Sequence, residues 1–549
     1  MFCGVVFFTA LFIFSGCAKQ GYPPGGPVDR TGPYVEDFYP ALEATQVAVK
    51  VRPWIVLNEY PAVNSLAGAV FVSPQMDEGF EVRSRGKRIE VRFRQELPVD
   101  RTIVVTFGSG IKDRNGNPMN GSHVLAFSTG ERMDKASLKG KLEGISQAGA
   151  AWIWAYPLSE FSEPDPRRDK APFAVQPDLA GDFALDFLPE GEYRIFGVEE
   201  TRRNRLWDGE QEAMALPSAD LNAQIENPPF LSLRLVNYDL KPPSLRSALS
   251  LHRQGLRLVF DEAVVIGDAV INATAQDGST LPIIDLYQNP GDSSALLCTT
   301  APQRVDDQYT IRLDRLRDRS DNWVDSIVVE APAATLADTV GPRLSWTYPG
   351  SAAQNINPNA AIQLGFTEAV ILTDLPRAVQ LQDSTGTALT GEWSFLGSAL
   401  GMFTPQPPPI GGASYTLQVS GDSLRDIFGN TCPDSLVSIS FSILDLQETG
   451  SITGSVKGAV ANLNAVAEAR TIPDVISIVP VAENGEFEFQ HLPAADYRIW
   501  LYEDRNYDGI YSVGVIDPFY YAEPFQVAAD SIRVRVRWTT EQVNLFWTK

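Results

Sequence analysis

Gly485-Glu486-Phe487-Glu488-Phe489-Gln490-His491-Leu492-Pro493-Ala494-Ala495-Asp496-Tyr497-Arg498-Ile499 aligns without a gap to Gly181-Asp182-Phe183-Ala184-Leu185-Asp186-Phe187-Leu188-Pro189-Glu190-Gly191-Glu192-Tyr193-Arg194-Ile195. The pattern reads as a strand with Phe487 and Phe489 on its buried face, a Leu-Pro turn, and a second strand starting at Tyr497. Proline fixes φ and has no N–H to donate, so it ends the ladder of the first strand. Ser137-Leu138-Lys139-Gly140 and Ser451-Ile452-Thr453-Gly454-Ser455-Val456 supply the opening strands of the two copies. Ile532-Arg533-Val534-Arg535-Val536-Arg537-Trp538 alternates cleanly and is expected to be the last strand of the second copy, with Leu231-Ser232-Leu233-Arg234-Leu235 as its counterpart. His491, aligned with Phe187, is expected at a packing or strand-end position.

A different plan recurs three times around these two copies. Val51 to Pro61 reads as a strand ending in a polar edge, Ile89-Glu90-Val91-Arg92-Phe93-Arg94 alternates with period two, and Thr102 to Phe107 is a strand followed by the turn Asp113-Arg114-Asn115-Gly116-Asn117. Ile362 to Val370, Tyr415 to Val419 and Asp426-Ile427-Phe428-Gly429-Asn430 repeat that order. Leu256 to Val264 with Asp318-Arg319-Ser320-Asp321-Asn322 is a fainter copy, lacking the turn glycine. A Gly-Pro lead-in, Thr31-Gly32-Pro33 and Val340-Gly341-Pro342, precedes two of the three.

This second plan resembles the bacterial Ig-like domains of surface-layer and exported proteins, in which a leading D-x-x-x-P segment, an F-x-E-x-V strand and a D-x-x-G-N turn recur. The first plan, G-x-F-x-x-x-x-L-P-x-x-x-Y, resembles the transthyretin-like domains that act as non-catalytic regulatory modules beside some carboxypeptidases. The expected fold class is therefore all-β, a tandem array of about five β-sandwich domains behind a lipoprotein signal peptide. The expected division is a signal peptide at 1–16, a lipidated cysteine and linker at 17–33, and an Ig-like domain at 34–131. A transthyretin-like (carboxypeptidase-regulatory-like) domain at 135–233, Ig-like domains at 234–335 and 338–446, and a second transthyretin-like domain at 449–549 follow.

Composition agrees with such an array. A chain of 549 residues exceeds what one core supports, and 42 Gly and 39 Pro suit short strands joined by many turns. The net charge of −23 argues against nucleic acid as a partner, because Lys and Arg supply the affinity there. Of four cysteines, Cys3 and Cys17 lie in or beside the leader, while Cys298 and Cys432 fall in different modules, which argues against a disulfide framework.

The N-terminus bears on location. Residues 1–16 are apolar and would span about 24 Å as a helix, short of the roughly 20 residues a membrane crossing needs. They read as a secretion signal, although residues 1–16 contain no Lys or Arg, which leaves room for a start upstream. Phe14-Ser15-Gly16-Cys17 resembles a bacterial lipobox, and the resemblance implies that Cys17 becomes the lipid-bearing N-terminus. Pro- and Gly-rich residues 18–33 suit a spacer. Bacteroidetes-type lipoproteins look similar; the acidic residues of their surface-export signal are absent from Ala18-Lys19-Gln20-Gly21, so both faces of an outer membrane stay open.

Few residues suggest chemistry. Asp504, Asn506 and Asp508 before Gly509 resemble the start of a calcium loop, yet the twelfth position is Val515 where a bidentate Glu is needed. The alternative is a turn whose Asp and Asn side chains bond their own backbone. Gly421-Asp422-Ser423-Leu424 spells the block that names one esterase family, but the one later histidine, His491, lies in another module. Arg83, Arg85, Lys87, Arg88, Arg92 and Arg94 form a basic cluster, read either as a solvated hairpin face or as a dock for an anionic partner. Trp152, Trp154 and Tyr156 share a strand face, with burial favoured over sugar stacking.

These readings point to a lipid-anchored, non-enzymatic envelope protein that takes no cofactor unless calcium binds near Asp504. Its expected partners are the membrane, through the lipid, and an envelope protein or glycan. The alternatives are an accessory carbohydrate- or peptide-binding subunit and, further off, a hydrolase.

Overall fold

A computed structural model describes residues 29–76, 78–147, 149–202, 204–472 and 476–548. The leader and Cys17 lie outside these residues. The chain divides into two compact units, the first built from residues up to Asp134 with short segments at 148–150 and 173–180, the second from the remainder.

In the first unit, a four-stranded sheet runs in the order Val35–Tyr39, Trp54–Leu57, Arg88–Phe93, Phe80–Arg85. A three-stranded sheet, Val70–Ser73, Thr102–Phe107, His123–Ser128, faces it. Ile55, Leu57, Ile89 and Val91 from one sheet pack against Val70, Ile103, Val105 and Phe127 from the other, which is why alternate residues of these strands are apolar. Asp29 to Pro33, expected as linker, belong to this sandwich. Asn117 Nδ2 donates to the Asp29 carbonyl at 3.2 Å, and a Cβ on Gly32 would lie 1.7 Å from the Pro118 carbonyl oxygen. The Gly-Pro lead-in is thus explained by close backbone approach.

The second unit repeats this topology twice. Leu344–Tyr348, Ile362–Phe366, Leu400–Pro405 and Gly391–Phe395 form one sheet, and Val379–Asp383, Ser414–Ser420 and Leu436–Ser442 the other. Leu245–His252, Gly255–Phe260, Asp292–Thr300 and Ile283–Asn289 face Val270–Ala275, Gln308–Asp318 and Trp323–Pro332 in the same orders, with two two-residue strands added. The copy that looked faint in sequence is complete in structure. Where the other copies have Gly116 and Gly429 at φ 92°, it places Asp321 at φ 67°, a left-handed conformation that aspartate tolerates better than most residues.

The two stretches that carry the Leu-Pro motif also match each other. In each, the opening strand lies between the quoted strand and the final one: Ala136–Glu143 between Asp182–Leu188 and Phe230–Arg234, and Gly450–Lys457 between Glu486–Leu492 and Thr539–Phe546. The final strand pairs parallel in both. Ile532–Trp538 is therefore not the last strand. Ile532 and Arg533 end the strand Phe525–Arg533, Val534 turns inward, and Arg537 at φ 58° starts the return into Thr539–Phe546. A regular alternation of Arg and Val satisfied the strand pattern across a turn.

The Leu-Pro turn has a physical basis. Phe187 and His491 adopt φ of 62° and 56° beside register shifts in their ladders. Tyr193 Oη donates to the Pro189 carbonyl at 3.0 Å and Tyr497 Oη to the Pro493 carbonyl at 2.9 Å. The spaced Pro and Tyr of the motif are thus a single hydrogen-bonded corner. Gly140 and Gly454 are needed because a Cβ at either would meet a carbonyl oxygen of the parallel strand at 2.1 Å. Gly454→Ala is expected to cost about 2 kcal/mol or more, since backbone cannot yield as a side chain can. A urea unfolding midpoint matching wild type would refute this.

The two stretches that carry the Leu-Pro motif dock on each other within the second unit. Ala522 N donates to the Pro217 carbonyl at 3.0 Å and Arg498 pairs with Glu143 at 2.6 Å, while Tyr238, just past the first stretch, donates from Oη to the Val513 carbonyl at 2.7 Å. Arg234 lies over the rings of Trp500, Tyr511 and Phe525 at 4.2, 5.0 and 4.5 Å. The second unit therefore folds back on itself instead of running as a simple string.

Candidate functional site: three clusters of carboxylates

Each copy of the seven-strand sandwich gathers three carboxylates from three separate segments. Asp29, Glu59 and Asp113 meet in the first, Asp239, Glu262 and Asp318 in the second, Asp338, Glu368 and Asp426 in the third. Within a cluster, one oxygen from each residue lies within 4.8 Å of the others.

The backbone explains why they converge. The lead-in Asp caps its own turn: Asp29 Oδ1 accepts from Thr31 N, Asp239 Oδ1 from Lys241 N and Asp338 Oδ1 from Val340 N, at 3.0, 3.3 and 3.0 Å. The turn Asp is fully buried and accepts from both nitrogens of the Asn four residues on. For Asp426 those distances are 2.8 Å to Asn430 N and 2.7 Å to Asn430 Nδ2; Asp113 with Asn117 and Asp318 with Asn322 repeat the pair. The same Asn amide then donates to the lead-in Asp carbonyl, at 3.2, 3.1 and 3.3 Å in chain order. One asparagine thus ties the lead-in to the turn, and the strand-end Glu comes up between them.

Three carboxylates this close cannot all ionise without help. Glu368 is pushed up to about 8, first by burial, then by the charges of Asp338 and Asp426. Glu262 is raised to about 7, again by burial first and then by Asp239. In chelating buffer, the group facing these charges titrates late. A carboxyl whose folded pKa is raised contributes stability that is complete below its unfolded value near 4.3 and is lost as pH rises through about 8. The melting temperature is expected to fall between pH 5 and pH 8.5 more steeply for wild type than for Glu368→Gln; parallel profiles would contradict it.

Beside the third cluster lies a cavity of about 330 Å³ whose walls include His252, Tyr287, Asp338, Glu368, Ile427 and Phe428. His252 comes from the 234–335 sandwich and the carboxylates from the next, so the cavity sits where these two meet. His252 Nε2 approaches Asp338 Oδ2 at 3.3 Å.

The residues singled out in the sequence fall elsewhere. Asp504 Oδ2 accepts from Gly509 N at 2.9 Å, Asp508 N donates to Asn506 Oδ1 at 3.1 Å, and Asp508 Oδ1 accepts from Ile510 N at 2.7 Å. Buried Glu523 organises the same loop by accepting from Arg505 N and Ser512 N at 2.7 and 2.9 Å. Arg83, Arg85, Lys87, Arg88, Arg92 and Arg94 lie on and around the hairpin of Phe80–Arg85 and Arg88–Phe93. Glu81 and Glu90 sit among them, pairing with Arg83 at 3.0 Å and with Arg92 at 2.6 Å. Lys87 Nζ donates to the Asn58 carbonyl, and Arg88 lies 4.3 Å over the Trp54 ring. Trp152, Trp154 and Tyr156 are buried, which removes them as a sugar platform. Ser423 ends a single 3-10 turn, Gly421–Ser423, and His491 belongs to another sandwich. Cys298 and Cys432 are buried free thiols.

The family model of the bacterial Ig-like domain matches residues 29–129 and 338–443. The chain carries two bacterial Ig-like domains. The match begins at Asp29 and, in the second domain, at Asp338, so each Ig-like domain includes its lead-in carboxylate. The sandwich between them shares their strand order. No curated protein matches the chain in sequence. Among solved structures, domains 1–6 of surface layer protein SbsC are 9% identical over 87% of this chain and 66% of that one, with a TM-score of 0.16. The N-terminal part of bacterial S-layer protein SbsC is 10% identical over 37% and 44%, also at 0.16. The BSP domain of a biofilm associated protein is 12% identical over 77% and 99%, at 0.19. This chain therefore spans less than two thirds of either SbsC structure, and TM-scores of this size bear on neither its fold nor its function.

The trios were missed in the sequence because each member was read as part of a strand or turn motif. The available signal was that all three motifs carry an acid, and that they recur together three times.

Proposed function

We propose that this chain is a non-enzymatic scaffold of the bacterial cell envelope, anchored by lipid on Cys17 and built of five sandwiches divided at 34–131, 135–233, 234–335, 338–446 and 449–549. The observation that carries the scaffold reading is the threefold recurrence of one sandwich with its matched Asp, Glu and Asn. What repeats between copies caps turns and closes backbone, as expected of a building block and not of a single reaction centre. The Pro-Tyr corner shared by 135–233 and 449–549 supports the transthyretin-like, non-catalytic reading of those stretches.

Each buried acyl methylene contributes about 0.8 kcal/mol, so two or three chains on one cysteine would hold the protein at a membrane persistently. An outer-membrane location and docking of an anionic envelope partner on the Arg83–Arg94 hairpin belong to the same proposal. Intact mass and cell fractionation test it. The wild-type protein is expected to carry acyl mass and sediment with membranes, whereas Cys17→Ala loses both. Wild-type protein of unmodified mass in the soluble fraction would overturn the anchor and leave the scaffold to be tested by itself.

A further inference from the structure

We propose that Asp338, Glu368 and Asp426 bind a hard divalent cation, calcium by preference, where the Ig-like domain at 338–443 meets the sandwich before it. This goes beyond the scaffold reading and does not depend on the lipid.

Three acids from segments about 30 and 60 residues apart present oxygens within 4.8 Å of one another. Independently of that clustering, the Asp338 side chain is only 9% exposed and its Oδ2 is buried without a hydrogen bond. His252 Nε2 stands 3.3 Å from it but lacks hydrogen-bonding geometry. A buried carboxylate oxygen left so is costly, and a cation among the three acids removes the cost. Asp426 retains capacity too. Its oxygens each accept from Asn430, and Oδ1 also from Phe428 N, but a carboxylate offers about four lone-pair sites.

The donor set selects the ion. It is all oxygen apart from one imidazole at its edge, which disfavours zinc with its preference for several nitrogen or sulfur ligands. Calcium takes six to eight oxygens in flexible geometry, whereas magnesium demands a near-ideal octahedron. Three carboxylates leave positions for water, and the cavity of about 330 Å³ against Glu368 and Asp338 provides room for it. The trios at Asp29 and Asp239 have the same donors, but neither contains an orphaned buried oxygen among the described residues, so the proposal is confined to the third.

The test is a calorimetric titration of the full chain, purified in detergent and stripped with EGTA, with calcium chloride and separately magnesium chloride. Glu368→Gln preserves shape and removes one charge; Asp338→Asn is the second variant. Wild type is expected to take up at least one calcium equivalent and to melt higher in calcium than in EGTA. Each variant is expected to bind one equivalent fewer, while in EGTA Glu368→Gln melts no lower than wild type because repulsion has been relieved. Asp508→Ala is expected to keep every equivalent. The proposal is overturned if wild type binds no calcium, if both trio variants bind as many equivalents as wild type, or if Asp508→Ala alone loses one.

Discussion

Asp426→Ala is expected to destabilise the 338–443 Ig-like domain by about 3 kcal/mol. Its carboxylate is fully buried and accepts from Phe428 N at 2.8 Å and from both nitrogens of Asn430. Hydrogen bonds to a charged acceptor contribute about 1.5–3 kcal/mol each, and donors stranded by truncation pay their desolvation in full. The loss extends further, because Asn430 also holds the Asp338 carbonyl and so fastens the lead-in to the turn. Relief of like charge at Asp338 and Glu368 opposes the effect, but three stranded donors outweigh one removed repulsion. Asp426→Asn should fall between, since an amide can still accept from Asn430 N but sets its own donor against Asn430 Nδ2. Urea unfolding followed by Trp393 fluorescence reads the domain directly, and an unchanged midpoint for the alanine variant would refute the account. Asp113→Ala and Asp318→Ala are expected to rank alongside it, because the same Asn bridge recurs there.

Arg234→Ala is expected to uncouple the two stretches that carry the Leu-Pro motif at a cost of about 2 kcal/mol or more. The Arg234 guanidinium is enclosed by Trp500, Tyr511 and Phe525 at 4.2 to 5.0 Å, and a desolvated cation–π contact contributes about 2 kcal/mol. Its stem fills space as well, so truncation leaves a void. Arg234→Lys should recover only part of the loss, because an ammonium cannot stack as a plane against several rings. Limited proteolysis within residues 505–524 and Trp500 fluorescence are the readouts. The alanine variant should be cleaved there faster and melt in two steps, and wild-type cleavage rates would show that the docking rests on its backbone bonds and on Arg498 with Glu143 instead.

The most legible parts of this chain were those whose pattern is local. Period-two alternation located the Arg88–Phe93 strand to within a residue, since a strand with one buried face writes that face into alternate positions. The gapless repeat was legible for a similar reason: Pro493 and Tyr497 are four apart because one hydroxyl must reach one carbonyl. Ile532–Trp538 misled because alternation records which side chains face inward and not where the backbone turns. The missing glycine at Asp321 misled in the opposite sense, as the turn needed a left-handed residue and aspartate served.

The amino-acid sequence alone carried the all-β class and the two recurring local plans, because burial periodicity and turn chemistry act over a few residues and are written there directly. Only the tertiary structure decided that Asp338, Glu368 and Asp426 meet, that Arg234 is caged by three rings, and that the stretch at 449–549 returns to dock on 135–233. Those contacts join positions tens to hundreds of residues apart, and no local pattern constrains which distant surfaces come together once each sandwich has closed its own core.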